Sequence, residues 1–436
     1  MTSTAKRVPI PKNGVDYRGR IVLAPMVRSG ECPSRLLALE YGADLVWGPE
    51  TIDKALIGTA RHINPVTNTV DFTRLSSNGA KNPAINPDQR ESIIYRLHPE
   101  KEGKKLIYQI GTSNPETAVQ AAKLIAPDVA GIDVNAGCPK PFSTSGGMGA
   151  ALLKKPDLLC SILRALVKEV GEPNEIGISV KVRILDTAEA TEALVRQLCD
   201  TGITGLTVHC RTTPMRPRER AIRDQLRMIA DICREAGVAC LMNGDVTSRD
   251  EALGLITEFG VDGAMIATAA ETNPSVFKPK DEGGEAPWHE VVKEYVKTAM
   301  EVENRFGNTK YLLGQMIPGK LPAYKSMMTA KSYRDIVKAL GHDAELGESA
   351  SDVDKRLEIG AFEKPKMTKA ERKAANKAAA KQAEAAEEKQ SEEVQEQPSA
   401  AGVKRSAETA GLDMPPDVAR EQAPASMPER ASVLSV

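Results

Sequence analysis

Gly205-Leu206-Thr207-Val208-His209, Ala239-Cys240-Leu241-Met242-Asn243 and Gly263-Ala264-Met265-Ile266 are three short, mainly apolar runs. Between them lie Arg223–Ala236 and Ser248–Phe259, whose apolar residues recur at i, i+3 and i+4. That alternation decides the fold. A strand apolar on both faces belongs in a parallel sheet, and the return crossing is then a helix. Working outward, the unit repeats towards the N-terminus. Further strand candidates are Ile21–Ala24, Leu45–Trp47, Leu106–Ile110, Gly131–Asn135 and Ile178–Val182, and further helices are Asn114–Ile125, Pro156–Val170 and Thr187–Thr201. Pro115 suits a first helical position. Eight such units over residues 19–280 predict an α/β fold, a closed (β/α)8 TIM barrel. An open doubly wound sheet would carry a Gly-rich turn after its first strand. Here that turn reads Ala24-Pro25-Met26-Val27.

The remaining chain sorts around this barrel. Residues 1–18 form an N-terminal arm. Ile57 to Lys105, rich in Asn, Pro, Gly and charge, reads as an elaborated connection with a small hairpin around Val70–Phe72. A polar linker, Asp281–Ala286, leads into a small all-helical domain at 287–345, with Val291, Tyr295, Val302 and Phe306 on one stripe. After Phe362 there is no aromatic residue and no isoleucine, and only two leucines. Such a stretch cannot bury enough apolar area to offset chain entropy, so 364–436 is predicted to be a disordered tail, its Lys369–Lys389 run having the composition of a solvated helix.

The formal net charge of −1 announces no general affinity for polyanions, although a local basic patch would suffice for one. Seven cysteines without CxxC spacing argue against both a zinc site and a disulfide framework, and no metal is expected. No apolar run reaches the roughly 18 residues of a membrane span, and residues 1–11 lack the apolar centre of a secretory signal. The expected compartment is the cytoplasm, with the nucleus second, and the expected state is a monomer.

In a parallel barrel the chemistry sits where strands end. Asn135-Ala136-Gly137-Cys138-Pro139 puts a thiol on a Gly-permitted turn just past the fourth strand. It could serve as nucleophile, metal ligand or general acid; metal partners are lacking, and a protonated thiol suits acid work. Ser145-Gly146-Gly147-Met148-Gly149 follows as a loop able to close over a substrate. Lys181 and Arg183 alternate along the fifth strand and so share a face, where two cations need an anion. A reduced flavin would supply one; a salt bridge to Asp133 or Glu50 is the structural alternative. Asn243-Gly244-Asp245 and Ala267-Thr268 end the last two strands, where barrels bind phosphate through backbone N–H groups. His209 is the one histidine of five at a predicted strand end.

Ala24-Pro25-Met26-Val27, Asn135-Ala136-Gly137-Cys138-Pro139, Gly146-Gly147-Met148-Gly149-Ala150-Ala151-Leu152-Leu153, Lys181-Val182-Arg183, Val208-His209 and Asn243-Gly244-Asp245 together resemble the tRNA-dihydrouridine synthases in order and spacing, over about Ile21 to Phe277. Trp47-Gly48-Pro49-Glu50 and Lys181-Val182-Arg183-Ile184-Leu185 resemble the eukaryotic subgroup acting on uridine 20 of the D-loop, in its fungal form. The resemblance implies an FMN enzyme reduced by NADPH or NADH, acting on uridine in tRNA, with hydride from the flavin to C6 of uracil and a proton from Cys138 to C5. It implies that Pro25, Met26, Val27, Gln109, Lys181, His209, Asn243, Gly244, Asp245, Ala267 and Thr268 bind FMN. Asn135 and Arg211, with Arg183, become candidates for holding the uracil, and Lys310, Lys320, Lys325 and Lys331 candidates for tRNA phosphates. Two departures stand out: Ala267-Thr268 where many members have Ala-Arg, and Asp245 in place of a more usual Gly. A reductase of a free small molecule and a non-catalytic RNA-binding protein are the rival readings.

Overall fold

The computed structural model describes residues 7–75, 91–216 and 218–359. Twelve strands occur among them: β1 Arg20–Leu23, β2 Leu45–Trp47, β3 Thr51–Ile52, β4 Ala60–Asn64, β5 Thr69–Leu75, β6 Glu91–Leu97, β7 Leu106–Gly111, β8 Gly131–Ala136, β9 Gly177–Arg183, β10 Gly205–His209, β11 Ala239–Asn243 and β12 Gly263–Ile266. Eight of these pair in parallel in the order β2-β1-β12-β11-β10-β9-β8-β7, and β2–β7 pairing closes the ring. The expected barrel is present. The two-residue β3 adds to the outer end of β7.

The barrel strands are buried on both faces, by helices outside and a packed interior within. Ile132, Val134, Val180, Val182, Leu206 and Val208 face the surrounding helices in the main core. Val22, Leu45, Trp47, Ile107, Leu241 and Met265 fill the barrel interior together with Tyr17. The N-terminal arm therefore plugs the ring: Tyr17 lies so close to Gly205 that a Cβ there would meet its ring at 2.6 Å. Helix starts follow local chemistry. The Asn114, Thr187 and Ser248 side chains each accept backbone N–H groups of the first turn that follows.

The connection between β3 and β7 is more ordered than its composition suggests. β4, β5 and β6 form an antiparallel sheet, so the expected hairpin gains a third strand. Two ion pairs anchor it. Arg96 pairs with Asp71, and Arg35 pairs with Glu102 at 2.7 Å, fully buried. Arg96 also donates to the Glu303 carbonyl at 2.9 Å, tying the sheet to the helices beyond the barrel.

Those helices span Trp288–Glu301, Phe306–Met316, Pro322–Thr329, Tyr333–Ala339 and Asp343–Arg356. The last of them runs past residue 345, where the helical segment was expected to stop. They share a core of their own, joined by Leu37 from the helix Cys32–Glu40 after β1. No helix among the described residues is long and apolar enough to cross a membrane. The expectations for the tail at 364–436 lie outside the described residues.

Candidate active site

The C-terminal ends of the barrel strands open into two adjoining hollows of about 330 and 690 Å3, within the roughly 300–1,000 Å3 range of small-molecule sites. The smaller is lined by Pro25, Met26, Val27, Gln109, Asn135, Cys138 and Lys181, and the larger by Arg211, Asn243, Gly244 and Asp245. Arg183, His209, Ala267 and Thr268 border both. Every strand-end residue singled out from sequence is thus brought to one mouth. A further hollow of about 590 Å3, lined by Glu31, Arg35, Tyr95 and Arg305, holds none of them.

Cys138 is half-buried on the turn after β8. The Asn135 side-chain oxygen accepts the Gly137 and Cys138 backbone N–H groups at 3.0 and 3.1 Å, an Asx turn that fixes the thiol's place. Arg183 secures the same turn, donating from Nε to the Gly137 carbonyl at 2.7 Å and from Nη1 to the Thr212 carbonyl at 2.9 Å. Both residues line the hollow, yet the hydrogen bonds they make are to backbone: they shape the thiol's turn. Burial pushes the Cys138 thiol up, as does the Glu50 carboxylate, against the opposing pull of Lys140 and Arg183. The net effect favours the protonated, acid form.

Opposite this turn the charge changes sign. Lys181 and Arg183 do share one face of β9, as their alternation requires. Burial and the neighbouring Arg183 pull the Lys181 ammonium down to about 8, outweighing the support of Asp133. Burial and the surrounding Lys181, Arg183 and Arg211 press His209 down to about 2, so its imidazole is neutral. Its Nε2 lies 3.2 Å from Arg211 Nη1, which can only donate, and that leaves the His209 proton on Nδ1. The expected alternative of a Lys181 salt bridge to Asp133 is not formed; Asp133 is occupied instead by Gln109 Nε2 at 2.8 Å and Ser179 Oγ at 2.7 Å. Burial lifts this aspartate to about 6.

The larger hollow is built on the turn after β11. Gly244 sits at φ +123, and a Cβ there would meet Ala221 Cβ at 3.2 Å and His209 Cδ2 at 3.4 Å. Asp245 follows at φ +51, in the left-handed region that favours glycine. Its carboxylate compensates by taking Arg211 Nη2 at 2.5 Å and the Ala221 N–H at 2.7 Å. Arg211 also donates to the Glu219 carbonyl at 2.7 Å. It therefore braces the larger hollow and lies apart from the one that holds Cys138. Arg223 braces the same turn through the Gly244 and Asp245 carbonyls.

These features fit FMN. A partly compensated lysine, a neutral imidazole and a glycine turn packed tightly against its neighbours suit an anionic, phosphate-bearing ring system. Sequence reasoning missed Arg223, Phe142 and Tyr311, and it offered Glu50 and Asp133 only as salt-bridge partners for the β9 cations. Glu50 carried a signal, standing next to Trp47-Gly48-Pro49 at a strand end. Tyr311 carried none: it reaches the smaller hollow from the helical segment, under Arg28 at 4.0 Å from its ring centroid. Of the lysines expected to meet phosphate, Lys310 is engaged with the Ala330 carbonyl at 2.7 Å, whereas Lys320 and Lys325 are exposed.

Residues 22–359 match the family model described as dihydrouridine synthase. The chain is 49% identical over 330 residues to a Schizosaccharomyces pombe tRNA-dihydrouridine(20) synthase [NAD(P)+], covering 74% of this chain and 65% of that protein. It is 43% identical over 351 residues to the Saccharomyces cerevisiae tRNA-dihydrouridine(20) synthase [NAD(P)+], covering 79% of this chain and 89% of that one. A Saccharomyces cerevisiae tRNA-dihydrouridine(20a/20b) synthase [NAD(P)+] matches at 27% over 325 residues, 72% of this chain and 77% of that protein. With this barrel, this mouth and a match that spans most of its length, the chain belongs to the dihydrouridine synthase family.

Proposed function

We propose that this protein reduces uridine to 5,6-dihydrouridine in tRNA, at position 20, with FMN as cofactor and NAD(P)H as reductant. The observation that carries the reading is that Cys138 and Lys181 line one hollow at the barrel mouth. Family membership and the substrate named for the two fungal relatives support it.

When bound, FMN supplies the hydride for C6 of the pyrimidine. The chain's residues supply the rest. Lys181, His209, Gln109 and Pro25 to Val27 would hold the ring, and Asn243 to Asp245 with Ala267 and Thr268 the phosphate. Cys138 carries the proton for C5 on its sulfur, and Asn135 and Arg183 keep its turn in place. A base stacked in folded tRNA must leave its stack to reach this mouth, which costs a few kcal/mol. The exposed Lys320 and Lys325 are available to meet phosphates around it.

The test is to supply the purified chain with NADPH and an unmodified tRNA transcript and to count dihydrouridine by mass spectrometry. One dihydrouridine at position 20 is expected. A yellow protein that oxidises NADPH and leaves the transcript unchanged contradicts the reading. Reduction of free uridine at a similar rate would turn it towards a small-molecule reductase.

A further inference from the structure

A thiol serves as an acid only while it stays protonated, and Cys138 sits among cations that favour its thiolate: Lys140, Arg183 and Lys181. Glu50 opposes them. Its Oε1 accepts from Ser143 Oγ at 2.8 Å, while its Oε2 is buried and has no hydrogen-bond partner. A buried carboxylate oxygen left unpartnered is costly and calls for an explanation. Two glycines clear the space that lets this group reach the thiol's turn. A Cβ on Gly111 would lie 2.5 Å from Glu50 Oε1. A Cβ on Gly149, which has φ +57, would lie 2.5 Å from Ser143 Oγ and 3.3 Å from Cys138 Cβ. Carboxyl, hydroxyl and thiol therefore occupy one small volume, and Glu50 and Cys138 line the same hollow.

We propose that Glu50 is a positioning residue that keeps Cys138 protonated and aims its S–H, with the buried Oε2 as the thiol's partner in the resting site. This rests on the reading of Cys138 as proton donor. When the sulfur gives its proton to C5 it becomes a thiolate beside a carboxylate, and that repulsion, which holds the proton on the resting thiol, then favours recovery of a proton from water. Burial pushes the Glu50 carboxyl up, while the Ser143 hydrogen bond holds it down. The charges facing the pair are Lys140, Lys181 and Arg183 around the thiol.

The experiment follows alkylation of Cys138 by iodoacetamide against pH in the FMN-bound chain, reading the Cys138 peptide by mass spectrometry. Glu50→Gln should alkylate about fivefold faster than the parent at pH 7.5, because less repulsion leaves more thiolate. Glu50→Asp should return most of the way to the parent profile. If Glu50→Gln does not fold, Ser143→Ala gives a smaller shift in the same direction, since Glu50 loses the donor that keeps it charged. An unchanged profile in the folded variant overturns the proposal, as does a profile moved equally by Gln and Asp. The readout needs no RNA, so it stands apart from the proposed function. A parent protein that makes no dihydrouridine defeats that reading, whereas a parent that does so with an unmoved profile in Glu50→Gln defeats only the role of Glu50.

Discussion

The two halves of the barrel mouth differ in kind. The half formed by the ends of β2, β7 and β8 carries Glu50, Gln109, Asn135 and Cys138: Asp133 holds Gln109, Ser143 holds Glu50, and Asn135 with Arg183 fixes the Cys138 turn. The half formed by β9 to β12 carries Lys181, Arg183, His209, Arg211 and the Gly244 turn, where burial and neighbouring cations together pull lysine and histidine down. One half suits a proton kept in place, and the other suits an anion. A single architecture holds both because each strand end is an independent position on a rigid ring.

Substitutions can separate the halves. The largest effect is expected from Cys138→Ala, which removes the proton source and leaves the cationic half intact. Dihydrouridine formation should fall by roughly 10²–10⁴-fold with flavin content unchanged, measured by product counting and by absorbance. Equal loss of flavin would show that the halves are not separable. Lys181→Met reverses the pattern: losing one charge-assisted contact of about 1.5–3 kcal/mol should weaken FMN binding roughly 10–100-fold. Fluorescence titration of the stripped protein reads it, and Cys138 alkylation should slow slightly, because one cation that favours the thiolate is gone.

Gly244→Ala sharpens the comparison. At φ +123 the new Cβ meets His209 and Ala221, so a stability loss of about 1–3 kcal/mol is expected in chemical denaturation, with weaker FMN binding. The smallest effect is a pH trend. Lys181 carries its charge below about 8 and loses it above, so affinity for the anionic cofactor should be steady below that point and decline as pH rises through it. A bound phosphate or ring anion pushes the decline higher. Affinity that rises with pH in this window would contradict the assignment of Lys181.

Much of this was legible in the residues. The strands β10, β11 and β12 begin and end where the apolar runs do, since buried parallel strands leave an unbroken apolar signature. Asn114 and Ser248 fall just outside their helices as caps, a one-residue shift from their expected starts. Strand-end residues converge because the ring forces them to, so the mouth's residues were readable from order alone. Their hydrogen bonds were not. Asn135 and Arg211 look like ligands in a list of polar residues, yet here they hold a turn and a neighbouring carboxylate. The Arg211 pairing joins the end of β10 to the turn after β11, across a separation that no local spacing encodes. The third strand β6, paired with β5 across a long connection, was hidden for the same reason.

The most direct measurement is a crystal structure of the FMN-bound protein. The ring should lie against Pro25, Lys181 and His209, with its phosphate at Gly244 and Thr268 and the Cys138 sulfur facing it across room for one pyrimidine. A ring bound elsewhere, or a sulfur turned away from it, would contradict the account.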